Sequence, residues 1–328
     1  MIEYIKHYYG KVIMKISILD KLSLGEDTPF ERFEQFGEIE CFDSTAPSEI
    51  SERIKSTDII ITNKVKITDE VMAKAEKLKL ICVFATGFDN IDTVSAKKYN
   101  IAVCNVPGYS TDSVTLFTIS TALSLYTHLF DYRKYVASGE YSASPAPNRL
   151  VPVYHELKGK TWGIIGCGNI GRSVAKIADA FGAKVLFNTR TNNPAYSCVD
   201  IERLCKESDI ISIHCPLTPE TKELINAKRI ALMKKDVIIV NEARGAVVDE
   251  NAITDAILEN RIGGYGCDVY STEPLPSTHP YTKIMNLSNV ILTPHAAWGA
   301  FEARARCVDI ICQNINSFFE GSKLNRIV

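Results

Sequence analysis

Short apolar runs rich in isoleucine and valine alternate along this chain with longer stretches in which apolar residues recur at helical spacing. Runs that are apolar at consecutive rather than alternate positions are expected of strands covered on both faces of a parallel sheet. In the first third the pattern predicts strands at Ile16–Leu19, Ile39–Phe42, Asp58–Thr62, Leu80–Ala85 and Ile101–Cys104. Between them it predicts helices at Pro29–Phe36, Ser48–Lys55, Thr68–Glu76 and Thr93–Tyr99. A long helical pattern runs from about Thr111 to Ser138, followed by a connector with several Pro and Ser residues, Ser142–Pro152. A second series then places strands at Thr161–Ile165, Lys184–Phe187, Asp209–Ile213, Asp236–Val240, Arg261–Asp268 and Asn289–Leu292. The last helix, about Gly299–Phe319, has no strand after it and must pack on something already built. We expect it to return to the first domain, which makes that domain discontinuous. The fold class is α/β, with two doubly wound parallel sheets.

A chain of 328 residues accommodates two such domains. Lysine and arginine number 37 against 39 acids, so the net charge of -2 offers no basic surface for a phosphate backbone, and nucleic acid is not an expected partner. The apolar stretch Val114–Leu125 is interrupted by Thr and Ser and is too short to span a bilayer, so no membrane is expected either. The segment Met1–Met14 carries Glu3, Lys6, His7 and Lys11 and lacks the apolar core of a secretory signal. Ten cysteines are scattered singly with no Cys-x-x-Cys pair, which suggests thiols in a reducing cytoplasm rather than a metal or redox motif.

One motif changes the picture from fold to ligand. The strand Thr161–Ile165 runs into Gly166-Cys167-Gly168-Asn169-Ile170-Gly171 and on into a helical pattern through Val174, Ile177, Ala178 and Phe181. This is G-x-G-x-x-G in the strand–turn–helix context that a dinucleotide needs. The first glycine permits the turn, the second admits a pyrophosphate to the backbone, and the third lets helix and strand pack closely. An acidic residue at the end of the next strand would bind a free ribose 2′-hydroxyl, but here the sequence reads Asn188-Thr189-Arg190. Thr189 brings no charge to repel a 2′-phosphate and Arg190 supplies a cation, which favours NADP(H). The other reading is a solvated Arg190 in an enzyme that uses NAD(H) without the carboxylate.

Three ionisable residues follow separate predicted strands. Arg244 lies in Asn241-Glu242-Ala243-Arg244-Gly245, Glu273 in Ser271-Thr272-Glu273-Pro274, and His295 in Leu292-Thr293-Pro294-His295. The carboxyl ends of strands are where a doubly wound sheet gathers its ligands. Reduction of a 2-oxo acid needs a cation for the carboxylate, a proton donor for the developing alkoxide, and a group that keeps the donor charged. Singly, each residue also has a plainer reading as a surface arginine, a loop glutamate or a structural histidine.

Together with these residues, several segments make the chain, from Met14 onward, resemble the D-isomer-specific 2-hydroxyacid dehydrogenases. They are Gly166–Gly171, His214-Cys215-Pro216-Leu217-Thr218, Arg244-Gly245 with Val248-Asp249-Glu250, Asp268-Val269 with Glu273-Pro274, and Pro294-His295. The resemblance implies a Rossmann NAD(P)-binding domain, residues 113–295, inserted into a flavodoxin-like substrate domain, residues 1–112 and 296–328. It implies that Arg244 binds and polarises the substrate, that His295 is the acid/base, and that Glu273 bonds the imidazole and so favours its protonated form near neutral pH. Gly166, Gly168, Asn169, Ile170, Gly171, Thr189, Arg190, His214, Pro216 and Ala243 would contact the cofactor, with Asp268 at its nicotinamide end. Backbone N–H groups of Thr86 and Gly87 would meet the substrate carboxylate, with Tyr109 of Asn105–Ser110 nearby. A homodimer is implied, with Thr111–Ser138 and the connector contributing.

Within the family, Lys15–Gly25, Ile61–Lys64 and His295-Ala296-Ala297-Trp298 with Glu302-Ala303-Arg304 resemble the glycerate dehydrogenase/hydroxypyruvate reductase group. That implies reduction of hydroxypyruvate or glyoxylate to D-glycerate or glycolate. Other 2-oxo acids, among them pyruvate, 2-ketogluconate and the phosphoglycerate couple, are the alternatives, as is a dinucleotide-binding corepressor-like protein. Trp298 either closes the substrate pocket or packs as a structural aromatic. Glu242 departs from the family, which usually has a small or apolar residue at that position near the nicotinamide; a paired, an exposed and a substrate-specific carboxylate are the open readings. Residues 1–13 precede the resemblance, and no function is assigned to them.

Overall fold

The computed structural model describes residues 14–190 and 196–328; the segment 1–13 lies outside them. The chain divides into two compact units, one made of Met1–Ser110 with Gly299–Val328 and the other of Thr111–Trp298.

The first unit is built on five parallel strands: β1 (Met14–Ile18), β2 (Gly37–Cys41), β3 (Ile59–Thr62), β4 (Leu80–Val83) and β5 (Ala102–Cys104). Their order, β2-β1-β3-β4-β5, is that of flavodoxin-like sheets. Every residue of β3 and β4 is buried, which is why these strands read as unbroken apolar runs rather than alternating ones. The segment expected to form a helix over Pro29–Phe36 is a 3-10 helix, Phe30–Phe36. Its phenylalanines at 30, 33 and 36 fall on one line when there are three residues per turn, and all three are buried. The chain returns to this unit at its last helix, Phe301–Phe319, which buries Ala303, Cys307, Val308, Ile311 and Ile315 along one stripe. Asn314 fixes the helix by donating to the Asn105 carbonyl at 2.9 Å.

The second unit holds six parallel strands: β6 (Thr161–Ile165), β7 (Lys184–Asn188), β8 (Ile210–Ile213), β9 (Ile238–Asn241), β10 (Gly264–Cys267) and β11 (Val290–Leu292). They run in the order β11-β10-β9-β8-β6-β7. Because β6 has β7 on one side and β8 on the other, the winding reverses at β6, and a crevice opens beyond the carboxyl ends of β6 and β8. Strand β10 is shorter than the predicted Arg261–Asp268, and Arg261 lies outside it, its guanidinium donating to the carbonyls of Ile230, Ala231 and Met233 at 3.0, 2.8 and 3.1 Å. The single helix expected over Thr111–Ser138 is two, Thr111–Tyr126 and Leu129–Ala137, bent by 64°. His128 makes the bend in a left-handed conformation, φ 53°. Among the described residues no single helix is long and apolar enough to cross a membrane.

Candidate active site

The glycine turn after β6 performs three separate steric tasks. Gly166 sits at φ +102°, and a Cβ there would meet the His214 and Cys215 backbone at 2.8 Å, so the turn passes directly beneath the end of β8. A Cβ on Gly168 would meet nothing within 4 Å, leaving the backbone open to a ligand. One on Gly171 would strike the Gly166 carbonyl oxygen, which is the close helix–strand approach the third glycine allows. Gly168 is also the N-cap of the helix Asn169–Ala180 and makes no side-chain cap bond, so the positive end of that helix faces the crevice.

An open groove of about 650 Å³ runs along this turn, lined among others by Gly168, Arg172, Thr189, Arg190, His214 and Pro216. Arg172 is drawn to the turn, donating to the Cys167 carbonyl at 2.8 Å and to Asn169 Oδ1 at 2.7 Å. Both ring nitrogens of His214 are buried with no hydrogen-bond partner among the described residues. Burial lowers its pKa to about 3, so the imidazole is neutral. These residues fit a dinucleotide: glycine clearance, a helix N-terminus and Arg172 at the turn for the phosphates, and Arg190 after β7.

The other half of the same sheet edge carries the ionisable residues. His295 follows β11 in a left-handed conformation, φ 55°. Its Nδ1 lies 2.8 Å from Glu273 Oε2 and 3.0 Å from Oε1. The Glu273 carboxylate also accepts from the Tyr270 N–H at 3.1 Å, which folds it back over its own loop. Asp268, 1% exposed, holds the histidine loop from below. It accepts from the Thr293 hydroxyl at 2.5 Å and from the N–H groups of Ala296 and Ala297 at 2.8 Å each. Arg244 is braced by Asn241, whose Oδ1 accepts from the Ala243 N–H at 3.1 Å and whose Nδ2 donates to the Arg244 carbonyl at 3.0 Å. Gly245 has room for no side chain because the Tyr270–Ser271 backbone lies against it, so the arginine loop and the glutamate loop touch.

The model of the D-isomer specific 2-hydroxyacid dehydrogenase NAD-binding domain matches residues 119–297. The chain belongs to the D-isomer specific 2-hydroxyacid dehydrogenase family. It is 37% identical to a hydroxypyruvate reductase of Blautia hydrogenotrophica over 95% of this chain and 99% of that protein. It is 38% identical to a glyoxylate reductase of Thermococcus litoralis over 88% and 89% of the two chains. A D-lactate dehydrogenase of Aquifex aeolicus, solved with NAD and lactic acid, superposes with a TM-score of 0.81 at 29% identity, covering 94% of this chain and 96% of that one.

In this dehydrogenase, Arg244, Glu273, His295 and Asp268 all stand on the loops that follow β9, β10 and β11. The cofactor candidates stand on those after β6, β7 and β8, with Ala243 beside Arg244. Thr86 and Gly87 follow β4 in the first unit. The Thr86 hydroxyl donates to the Val106 carbonyl at 2.8 Å, and Asn105 Nδ2 donates to the Thr86 carbonyl at 2.7 Å. Tyr109 is buried, and its carbonyl accepts from Arg306 Nε at 2.9 Å. Trp298, half-buried, ends the loop that Asp268 anchors.

Glu242 is buried, 9% exposed, and neither carboxyl oxygen has a hydrogen-bond partner among the described residues. Burial, helped by the Asp268 carboxylate, raises its pKa from 4.5 to about 9, so it carries a proton at neutral pH. Sequence reasoning did not find Asn241 as the brace of Arg244. Its only local signal is the tendency of Asn to bond the backbone two residues on. Nor did it find that Asp268 uses both oxygens on the histidine loop. Among the described residues no group of three His, Cys, Asp or Glu side chains is placed to hold a metal.

Proposed function

We propose that this dehydrogenase reduces hydroxypyruvate or glyoxylate to D-glycerate or glycolate, with NADPH preferred over NADH. The observation that carries the reading is the Glu273–His295 pair on a loop in contact with that of Arg244, on the same sheet edge as the glycine turn. Relatives named as hydroxypyruvate and glyoxylate reductases support the choice of substrate.

A bound nicotinamide dinucleotide supplies the hydride. Its phosphates would lie on Gly166–Gly171, its adenosine ribose at Thr189 and Arg190, and His214, Pro216, Ala243 and Asp268 would complete the contacts. Arg244 binds the substrate carboxylate with its planar fork and draws electron density from the neighbouring carbonyl. Glu273 accepts from Nδ1 of His295, which makes Nε2 the nitrogen that gives a proton to the alkoxide in reduction and takes it back in oxidation. Thr86, Gly87 and Tyr109 of the first unit and Trp298 are the proposed substrate contacts. The absence of an acid at Asn188-Thr189-Arg190, with Arg190 lining the groove, supports the NADPH preference.

The protein is further proposed to be a cytoplasmic homodimer. The helix Leu129–Ala137 buries none of its residues, and with the connector after it exposes Leu129, Val136, Leu150 and Val151. All ten cysteines are free thiols, as a reducing compartment allows. The test is the initial rate of NADPH and NADH oxidation with hydroxypyruvate, glyoxylate, pyruvate and 2-ketogluconate. Turnover of either of the first two, faster with NADPH, is expected. His295→Ala is expected to lose most of it, roughly a hundred-fold or more, while cofactor still binds. Unchanged turnover in that variant would overturn the assignment of His295.

A further inference from the structure

A second, more deeply buried histidine–carboxylate pair lies beneath the Glu273 loop. Glu250 is the first residue of the helix Glu250–Leu258, six positions after Arg244, and its side chain is 11% exposed. Its Oε1 accepts from the Ser271 N–H at 2.9 Å. Its Oε2 accepts from the Ser271 hydroxyl at 2.5 Å and lies 3.0 Å from His279 Nε2. The His279 side chain is 4% exposed, and its Nδ1 accepts from the Tyr281 N–H at 3.2 Å. A nitrogen that accepts carries no hydrogen, so the ring hydrogen sits on Nε2 and points at Glu250. Tyr270 and Tyr281 pack edge-on against the ring and hold its plane.

We propose that Glu250 and His279 are positioning residues for the proton-transfer pair: they clamp Ser271 and thereby set where Glu273 presents its carboxylate to His295. The inference rests on the catalytic reading of Glu273 and His295 given above. The mechanical path is short. Ser271 stands two residues before Glu273, and Glu273 itself turns back to bond the Tyr270 N–H, so Glu273 holds the peptide before Tyr270 while Glu250 holds the next one, Tyr270–Ser271. Gly245 lies against that same peptide, while Glu250 holds it from the end of the Arg244 loop. The substrate-binding arginine and the acid/base pair are therefore referenced to the two adjoining peptides of Tyr270.

A carboxylate with three donors converging on it would be an expensive way merely to fill a core, because buried charge is tolerated only when fully bonded. Here the hydrogen bonds of the Glu250 carboxylate go to Ser271 and to His279. A loop displaced by an ångström at the reacting atoms is enough to lower a rate about a hundred-fold.

The test is a double-mutant cycle of Glu250→Ala and Glu273→Ala, reading kcat for hydroxypyruvate, binding of reduced cofactor by its fluorescence, and thermal stability. Glu250→Ala is expected to lower kcat roughly ten- to a hundred-fold with cofactor affinity held within about two-fold. Added to Glu273→Ala it should lower kcat little further, because the clamp acts through Glu273. His279→Gln, which places an N–H where Nε2–H was, should recover most of the rate lost in His279→Ala. Glu250→Gln turns an amide donor toward Ser271 Oγ and His279 Nε2, and replaces Glu250→Ala in the cycle should the latter fail to fold. Losses that multiply, or a kcat untouched by Glu250 substitution, would overturn the clamp. A kcat untouched by Glu273→Ala would instead overturn the catalytic reading on which it stands.

Discussion

Glu242→Gln replaces a buried, unpaired carboxyl with a neutral amide of nearly the same shape, and its effect on stability should depend on pH in a defined way. The wild-type carboxyl titrates near 4.5 when unfolded and near 9 when folded. Below pH 4.5 both states hold the proton, and its contribution to stability is fully present. Above that, the unfolded chain releases the proton and the folded one keeps it. Stability therefore falls as pH rises, at about 1.4 kcal/mol per pH unit, until the folded group titrates. Between pH 4.5 and pH 7 that amounts to about 3 kcal/mol, which Gln, unable to ionise, does not lose. Both tryptophans, Trp162 and Trp298, lie in the unit that holds Glu242, so their fluorescence in urea follows that unit's unfolding. Unfolding free energies of the two proteins should differ by a constant below about pH 4, and the gap should widen in favour of Gln from there through pH 8. A gap that stays constant across this range would refute the reasoning, since it would mean that Glu242 ionises alike in both states.

Arg190→Ala should weaken NADPH binding about ten-fold while leaving NADH nearly unchanged, read by titrating the fluorescence of the reduced cofactors. Equal loss for both would remove Arg190 from the 2′-phosphate. At the glycine turn, Gly168→Ala adds a methyl into open space and Gly171→Ala adds one against the Gly166 carbonyl. The first should keep its thermal midpoint and lose cofactor affinity; the second should lose about 1–3 kcal/mol of stability in a urea titration. Reversed outcomes would contradict the division of labour between these glycines.

Strand positions were legible because β3, β4, β8 and β9 are buried on every residue, and continuous apolar runs are the direct imprint of that burial. The break at His128 was not, because the residues on both sides favour a helix and the turn is made by one left-handed backbone. Spacing alone cannot separate a 3-10 from an α-helix over one or two turns, yet Phe30, Phe33 and Phe36 carried the three-residue period in plain view. Arg244, Glu273 and His295 announce themselves as chemistry at strand ends. Their supports, Asn241, Asp268, Glu250 and His279, act through hydrogen bonds whose partners are set by the fold. In Glu250 and His279 the two ends are 29 residues apart, beyond the reach of any local pattern.

The two units also differ in the order in which a growing chain can complete them. All six strands of the second unit, and the helices on them, are synthesised before the helix Phe301–Phe319. The first unit has its five strands earliest but must wait for that helix, which covers it with Ala303, Cys307, Val308, Ile311 and Ile315. On the ribosome the inserted unit can therefore close first, while the first sheet keeps an apolar face exposed for the time taken to translate everything between. Loss of the last thirty or so residues would strand the first unit in that half-covered state and leave the second with its sheet whole.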